Sequence, residues 1–127
     1  MTPDWLNDIV RAFGRQMGLE RFELNERNAA GVRFENGLSF RLEYAHESLV
    51  MLAGFAALPQ GDVLKRVLMS VHPDMRQQPP LRAGYLSRTG EVVFMVRLYE
   101  RDVTVTALET VFRQLWNVVD QVRRAVA

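Results

Sequence analysis

The feature that most constrains this chain is an Asn-Gly pair set between two alternating stretches. Val32 and Phe34 alternate with Arg33 and Glu35. Leu38, Phe40, Leu42 and Tyr44 then alternate with Ser39, Arg41 and Glu43. A period of two places one set of side chains on each face of a strand. Asn36-Gly37 tolerates the positive φ that a tight hairpin turn needs. The spacing therefore predicts an antiparallel hairpin with one dry and one wet face. His46-Glu47-Ser48 reads as a second turn, and Leu49 to Ala57 as a third strand. That third strand is apolar throughout and so expected at the centre of a sheet.

Helices are predicted on both sides of this unit. Trp5, Ile9, Phe13 and Met17 recur every fourth residue, with Leu6 and Val10 broadening the stripe. Thr2 is the expected cap, Pro3 suits the first helical position, Asp4 favours the positive end, and Gly18 is the expected stop. Gly14 weakens this helix slightly. Phe22 and Leu24 alternate with charges and predict a short strand. Pro59-Gln60-Gly61-Asp62 opens a second helix, with Asp62 as cap and Leu64, Val67, Leu68 and Val71 along one side. Pro73 ends it, and residues 72–80 form a polar, proline-rich loop.

A second hairpin follows, from Ala83–Leu86 through Ser87-Arg88-Thr89-Gly90 to a long strand over 91–100. Val92, Phe94, Val96 and Leu98 share one face of that strand. Val93, Met95, Arg97 and Tyr99 share the other, which is half apolar and so expected to meet something. Thr106-Ala107-Leu108-Glu109 fits a capping box. Leu108, Phe112, Leu115, Val119 and Val122 line the closing helix, with Val111, Trp116 and Val118 widening the stripe. The expected fold class is α+β: an antiparallel sheet of about five strands packed with three helices, ordered α-β-β-β-α-β-β-α. The 127 residues suit a single domain, 1–127.

Composition narrows the chemistry. The chain has no cysteine, which excludes a disulfide scaffold, a thiol nucleophile, a zinc ribbon and an iron–sulfur site. Its two histidines, His46 and His72, are too few for most metal sites. Sixteen basic and fifteen acidic residues leave a formal charge of +1, with Lys65 the only lysine. The arginines are spread along the chain beside acids, as in Glu26-Arg27 and Glu100-Arg101, which is not a nucleic-acid pattern. The N-terminus lacks the basic start and apolar core of a signal peptide. The longest apolar run, Leu49 to Leu58, has about half of the ~20 residues a membrane helix needs. A cytoplasmic location is expected.

Short motifs give little chemistry. His72-Pro73-Asp74 matches the J-domain tripeptide, but a proline-rich loop and a strand follow it where a second helix should, so it reads as a helix stop. Ser48 and His46 lie in no nucleophile elbow, and no glycine-rich phosphate loop is present. His46, Tyr44 and Arg41 are the only candidates for a ligand pocket on the sheet. What exceeds need is apolar surface: every helix and both hairpins carry wide apolar faces, which predicts a generous core, a dimer interface or a groove for a partner segment.

With these elements placed, the chain resembles the class I chaperones of type III secretion systems, and most closely the SycN-type subgroup. The residues that carry this are Leu81-Arg82-Ala83-Gly84-Tyr85-Leu86, the strand from Val92 to Leu98, Glu100-Arg101, Phe112-Arg113-Gln114-Leu115, and the spaced Trp5, Ile9, Phe13 and Gly18. Its near-neutral charge departs from the usual acidity of that class. The resemblance implies a protein that is not an enzyme and uses no ATP or cofactor. It implies dimerisation, with a second class I chaperone for SycN-type members. It also implies capture of the N-terminal segment of a secreted protein in extended form, for this subgroup a YopN-like gatekeeper. A homodimeric effector-specific chaperone and a small α+β ligand-binding domain or enzyme are the alternatives. Carried onto this sequence, Leu64, Val67, Leu68, Val71, Phe94 and Val96 would serve the dimer. Leu6, Val10, Phe13, Met17, Val32 and Phe34 would hold the secreted segment.

Overall fold

The structure is a computed structural model that describes residues 2–57, 61–70 and 80–126. Its elements are α1 (Asp4–Gln16), β1 (Ala29–Arg33), β2 (Leu38–Ala45), β3 (Ser48–Ala56), α2 (Gly61–Ser70), β4 (Arg82–Leu86), β5 (Glu91–Tyr99), a short 3-10 turn (Glu100–Asp102) and α3 (Val105–Val126). The five strands form one antiparallel sheet in the order β1-β2-β3-β5-β4. The all-apolar third strand is its centre, as its composition predicts. Proline-rich residues 71–79, with Val71 and the His72-Pro73-Asp74 motif, lie outside the described residues, as does Pro59.

Register sorts the strand residues into two faces. Phe40 pairs with Ala53, and Ala53 with Phe94, so these three stand on one face with Leu42, Leu49, Met51, Phe55, Val92, Val96 and Leu98. That face is the core. Leu6, Val10 and Phe13 of α1, Val67 of α2, and Leu108, Val111, Leu115, Val119 and Val122 of α3 pack on it, all buried. Phe40 is met by Phe13, Phe22 and Phe112, with ring centroids 6.0, 6.0 and 4.7 Å away. Phe112 meets Phe40 edge-on at 87° and Phe22 stacks on it at 22°, two arrangements that add ring–ring attraction to burial.

Several local expectations are corrected. Residues Phe22 and Leu24 form no strand, although both are buried. The side chain of Asn7 takes the strand partner's place: its Oδ1 accepts from Leu24 N–H at 2.9 Å, and its Nδ2 reaches Leu24 C=O. Thr2 makes no cap for α1; its hydroxyl bonds Asn28 Oδ1 and ties the N-terminus to the loop before β1. The cap of α3 is Thr104, whose Oγ1 accepts from Ala107 N–H at 3.0 Å. The capping box does not form, and Glu109 Oε1 is buried with no hydrogen-bond partner among the described residues.

In the β1–β2 turn only Gly37 uses positive φ (+88°). Phe34 and Leu38 close the hairpin around a three-residue loop, which Asn36 braces by accepting from Leu38 N–H. The β2–β3 turn is tighter and carries no glycine: His46 and Glu47 both sit in the left-handed region, at φ +51° and +58°.

Gly14 has a stronger role than its propensity cost suggests. A Cβ there would lie 2.7 Å from Phe22 Cβ and 3.2 Å from Phe22 O. Alanine improves an isolated helix by about 1 kcal/mol, whereas overpacking a filled site costs about 1–3 kcal/mol. We expect Gly14→Ala to lower stability by about 1 kcal/mol in urea unfolding, since the clash with backbone outweighs the propensity gain.

Glu91 is a buried carboxylate on the face opposite the core. Burial alone would raise its pKa; hydrogen bonds from Thr89 and Ser39 (the latter at 3.0 Å), with the positive charges of Arg41 and Arg33, outweigh this and lower it. A carboxylate with a lowered folded pKa stabilises the fold above its unfolded pKa. That contribution disappears as pH falls through the folded value. Stability should therefore decline with acidification through and below the ordinary glutamate range, and Glu91→Gln should flatten that decline in pH-dependent urea titrations.

Candidate partner-binding surfaces

The antiparallel ladder between β1 and β2 decides which backbone groups are free. Tyr44 N–H donates to Asn28 C=O, and Phe34 N–H to Leu38 C=O, so even-numbered residues of β1 bond β2. Odd-numbered residues then turn their N–H and C=O outward. Ala29 is one of these, and Asn25 occupies it: Asn25 N–H donates to Ala29 C=O, and Ala29 N–H donates to Asn25 Oδ1. Gly31 and Arg33 are the next two outward positions. They form an open stretch of sheet edge, able to pair with an added strand.

Beside this edge lie two linked hollows. One, of about 480 Å³, runs along β1 between Val32 and the 18–25 loop. The other, of about 320 Å³, is lined by Met17, Leu19, Phe34, Phe112 and Trp116, with Arg113 and Asn117 at its rim. Leu19 and Phe34 border both. Phe34 stands edge-on to Trp116 at 4.9 Å, and Trp116 stacks on Phe112 at 5.6 Å. Arg123 fixes this arrangement by donating to Asn36 C=O at 3.0 Å, which holds the end of α3 over the β1–β2 turn. Asp120 holds Arg123 in turn; that hydrogen bond, with Arg124 nearby, lowers the Asp120 pKa despite partial burial.

The structure divides the expected partner-binding residues. Met17, Val32 and Phe34 come together at this groove. Leu6, Val10 and Phe13 do not: each is fully buried between α1 and the sheet and presents no surface to a partner. Phe94 and Val96, expected at a dimer interface, are likewise sealed in the core under α3. Val67 is buried at the α2–α3 contact. The side chains of Leu64 and Leu68, and all of Val71, lie outside the description. The exposed apolar residue described on α2 is Met69. Leu19, Phe112 and Trp116 join this groove without being expected partner-binding residues; the wide apolar stripe of α3 is the sequence signal for the last two.

The candidate pocket of His46, Tyr44 and Arg41 does not assemble. Tyr44 lies on the core face, where its hydroxyl donates to Glu100 Oε2 at 3.0 Å. Burial, then this carboxylate, raise its pKa. Arg41 is on the opposite face of the same strand, and His46 is exposed in the turn. Among the described residues no helix is long and apolar enough to cross a membrane.

Comparison with solved structures supports the architecture. A chain of the ExsC–ExsE complex superposes with a TM-score of 0.78 at 19% identity, covering 94% of this chain and 92% of that one. The Yersinia pestis type III secretion chaperone SycH, in complex with a stable fragment of YscM2, gives 0.68 at 16% identity, covering 92% and 98%. The fold also matches YbjN, a putative transcription regulator from E. coli, at 0.62 and 16% identity over 91% and 86%. Architecture alone therefore does not fix the job. No curated protein sequence matches the chain. A family model does, from residue 5 to residue 123, and it describes a secretion chaperone. The chain belongs to the type III secretory system chaperone SycN family.

Proposed function

We propose that this chaperone holds the N-terminal region of a secreted gatekeeper, a YopN-like protein, in extended form in the cytoplasm, and does so as a dimer with a second class I chaperone. The observation that carries the binding half is the meeting of an open edge at Gly31 and Arg33 with an apolar groove of Met17, Leu19, Phe34, Phe112 and Trp116. An extended segment can bond its backbone to the edge while alternate side chains enter the groove. Ordering such a segment costs conformational entropy, so its affinity must come from a long wrapped surface. For the dimer, the outward side of α2 is the proposed contact, with Met69 exposed there.

The test is co-purification and light scattering of this chain with the second chaperone and the gatekeeper segment encoded nearby. A complex of all three supports the reading. A homodimer that binds the segment of an effector instead would replace it with the effector-specific alternative. In the same assay Phe34→Ala should weaken segment binding by about tenfold or more, because a buried phenyl contact is worth about 1.5–3 kcal/mol. Unchanged binding would remove the groove from the site.

A further inference from the structure

The sheet has a second face, separate from the core and from the β1 edge. All three helices contribute to the core cluster on the opposite side of the sheet; on this face Leu52 and Val93 are buried as well, at 8% and 1% exposure, while Val50 and Met95 are half-buried. It carries Val50, Leu52, Val93 and Met95, flanked by Arg41, Arg82, Arg97 and Tyr99. Towards the β2–β3 turn it opens into a groove of about 510 Å³. Val50, Pro80, Met95 and Tyr99 supply its apolar lining and Arg82 and Arg97 its charge, and among the described residues no carboxylate lines it.

Two features favour a ligand over bare solvent. First, Arg97 is held in place. Its Nε donates to Ser48 Oγ at 2.8 Å, the buried Ser48 hydroxyl donates to Ala45 C=O, and the guanidinium carbon lies 5.7 Å from the centre of the Tyr99 ring. A cation ordered this way loses less freedom on meeting an anion. Among the described residues neither Arg82 nor Arg97 has an ion-pair partner. Second, two of the three large exposed apolar residues among those described lie here, the third being Met69 on α2. Tyr99 is 54% exposed and Trp5 45%. Both border an adjoining hollow that shares His46 and Tyr99 with the groove.

Charge selects the occupant. Of the carboxylates on this face, Glu91 is engaged at the far end by Ser39, and Glu43 does not line the groove. An apolar floor between unpaired arginines suits a segment that is apolar on one side and anionic on the other. We propose that this end of the face docks a short acidic amphipathic segment of a protein partner, with its apolar side chains on Val50, Met95 and Tyr99 and its carboxylates facing Arg82 and Arg97. This docking needs neither the β1 edge nor the Phe34–Trp116 groove.

The probe is a short fluorescent peptide of alternating glutamate and leucine, titrated by anisotropy against the intact protein, with a lysine–leucine peptide as control. The glutamate peptide should bind, should weaken as salt rises, and should lose about tenfold or more in affinity in Arg82→Gln/Arg97→Gln. That variant should keep its circular dichroism spectrum and its affinity for the gatekeeper segment. Equal binding of both peptides, no binding of the glutamate peptide, or an unchanged affinity in the double variant would overturn the proposal. So would light scattering that showed the variant changing only self-association, which would make this face a contact between copies of the chain. Met95→Lys supplies an independent check, because loss of the apolar floor should weaken the glutamate peptide despite the added positive charge.

Discussion

Replacing Gly54 by alanine should cost about 3 kcal/mol, and valine should leave too little stability for the fold to persist. Gly54 sits in β3, the central strand, opposite Val93 of β5. A Cβ there would run into the Val92 carbonyl oxygen and lie 2.9 Å from Val93 Cγ1 and 3.2 Å from Val93 Cα. Two of those three neighbours are backbone atoms of a ladder that runs unbroken from Ser48↔Tyr99 to Ala56↔Glu91. They can move only if hydrogen bonds on both sides lengthen. Overpacking costs about 1–3 kcal/mol where side chains can adjust, so a clash with backbone belongs at or above the top of that range. Native stability is only about 5–15 kcal/mol, which is why the larger valine should unfold the protein. Urea unfolding reads the result: with a slope of about 1–3 kcal/mol per molar, alanine should lower the midpoint by about 1–2 M. Gly18→Ala is the control, since nothing lies within 4 Å of its Cβ position and only its φ of +73° is strained. A Gly54→Ala midpoint at or above that of Gly18→Ala would contradict the close approach of β3 and β5.

The sheet was the most legible part of the chain because its determinants are local. Alternation around Asn36-Gly37, and the unbroken apolar run from Leu49, each need only neighbouring residues to be read. The division between core and surface was not legible, because it depends on what arrives from elsewhere. Leu6, Val10, Phe13 and Met17 belong to one stripe on α1, and nothing in their spacing separates them. The first three are sealed by β2 and α3, whereas Met17 lies past the last turn of α1, where the chain turns away at Gly18. Phe94 misled in the same way: a strand residue with a large apolar side chain reads alike under a helix or at an interface. The cap of α3 failed for a smaller reason. Thr104 and Thr106 both precede the apolar stripe, and only the backbone geometry at Val103 and Thr104 selects between them. Conversely, the half-apolar set Val93, Met95, Arg97 and Tyr99 is readable as a face awaiting contact, and the structure buries Val93, half-buries Met95 and leaves Arg97 and Tyr99 exposed.

Arg33→Pro should weaken capture of the secreted segment by about 100-fold while leaving the chaperone folded. Arg33 is exposed at the end of β1, and its N–H points away from β2, since the paired positions are Val32 and Phe34. Proline there removes no ladder hydrogen bond, which is the one arrangement in which sheets accept it. The preceding Val32 is already extended, as proline requires of the residue before it. What proline does remove is a donor from the open edge, and its ring obstructs an incoming strand at the neighbouring position. The lost main-chain hydrogen bond, worth about 0.5–1.5 kcal/mol net, and the blocked approach together should weaken binding by about 100-fold. Arg33→Ala separates this from charge: it deletes the guanidinium, keeps the N–H and should bind within a few-fold of the parent. The pair of variants distinguishes two ways of holding a segment. If Arg33→Pro binds as well as Arg33→Ala, the segment lies in the Phe34–Trp116 groove by side-chain contact alone. If only the proline variant fails, and its urea midpoint stays near that of the alanine variant, the edge itself is the receptor.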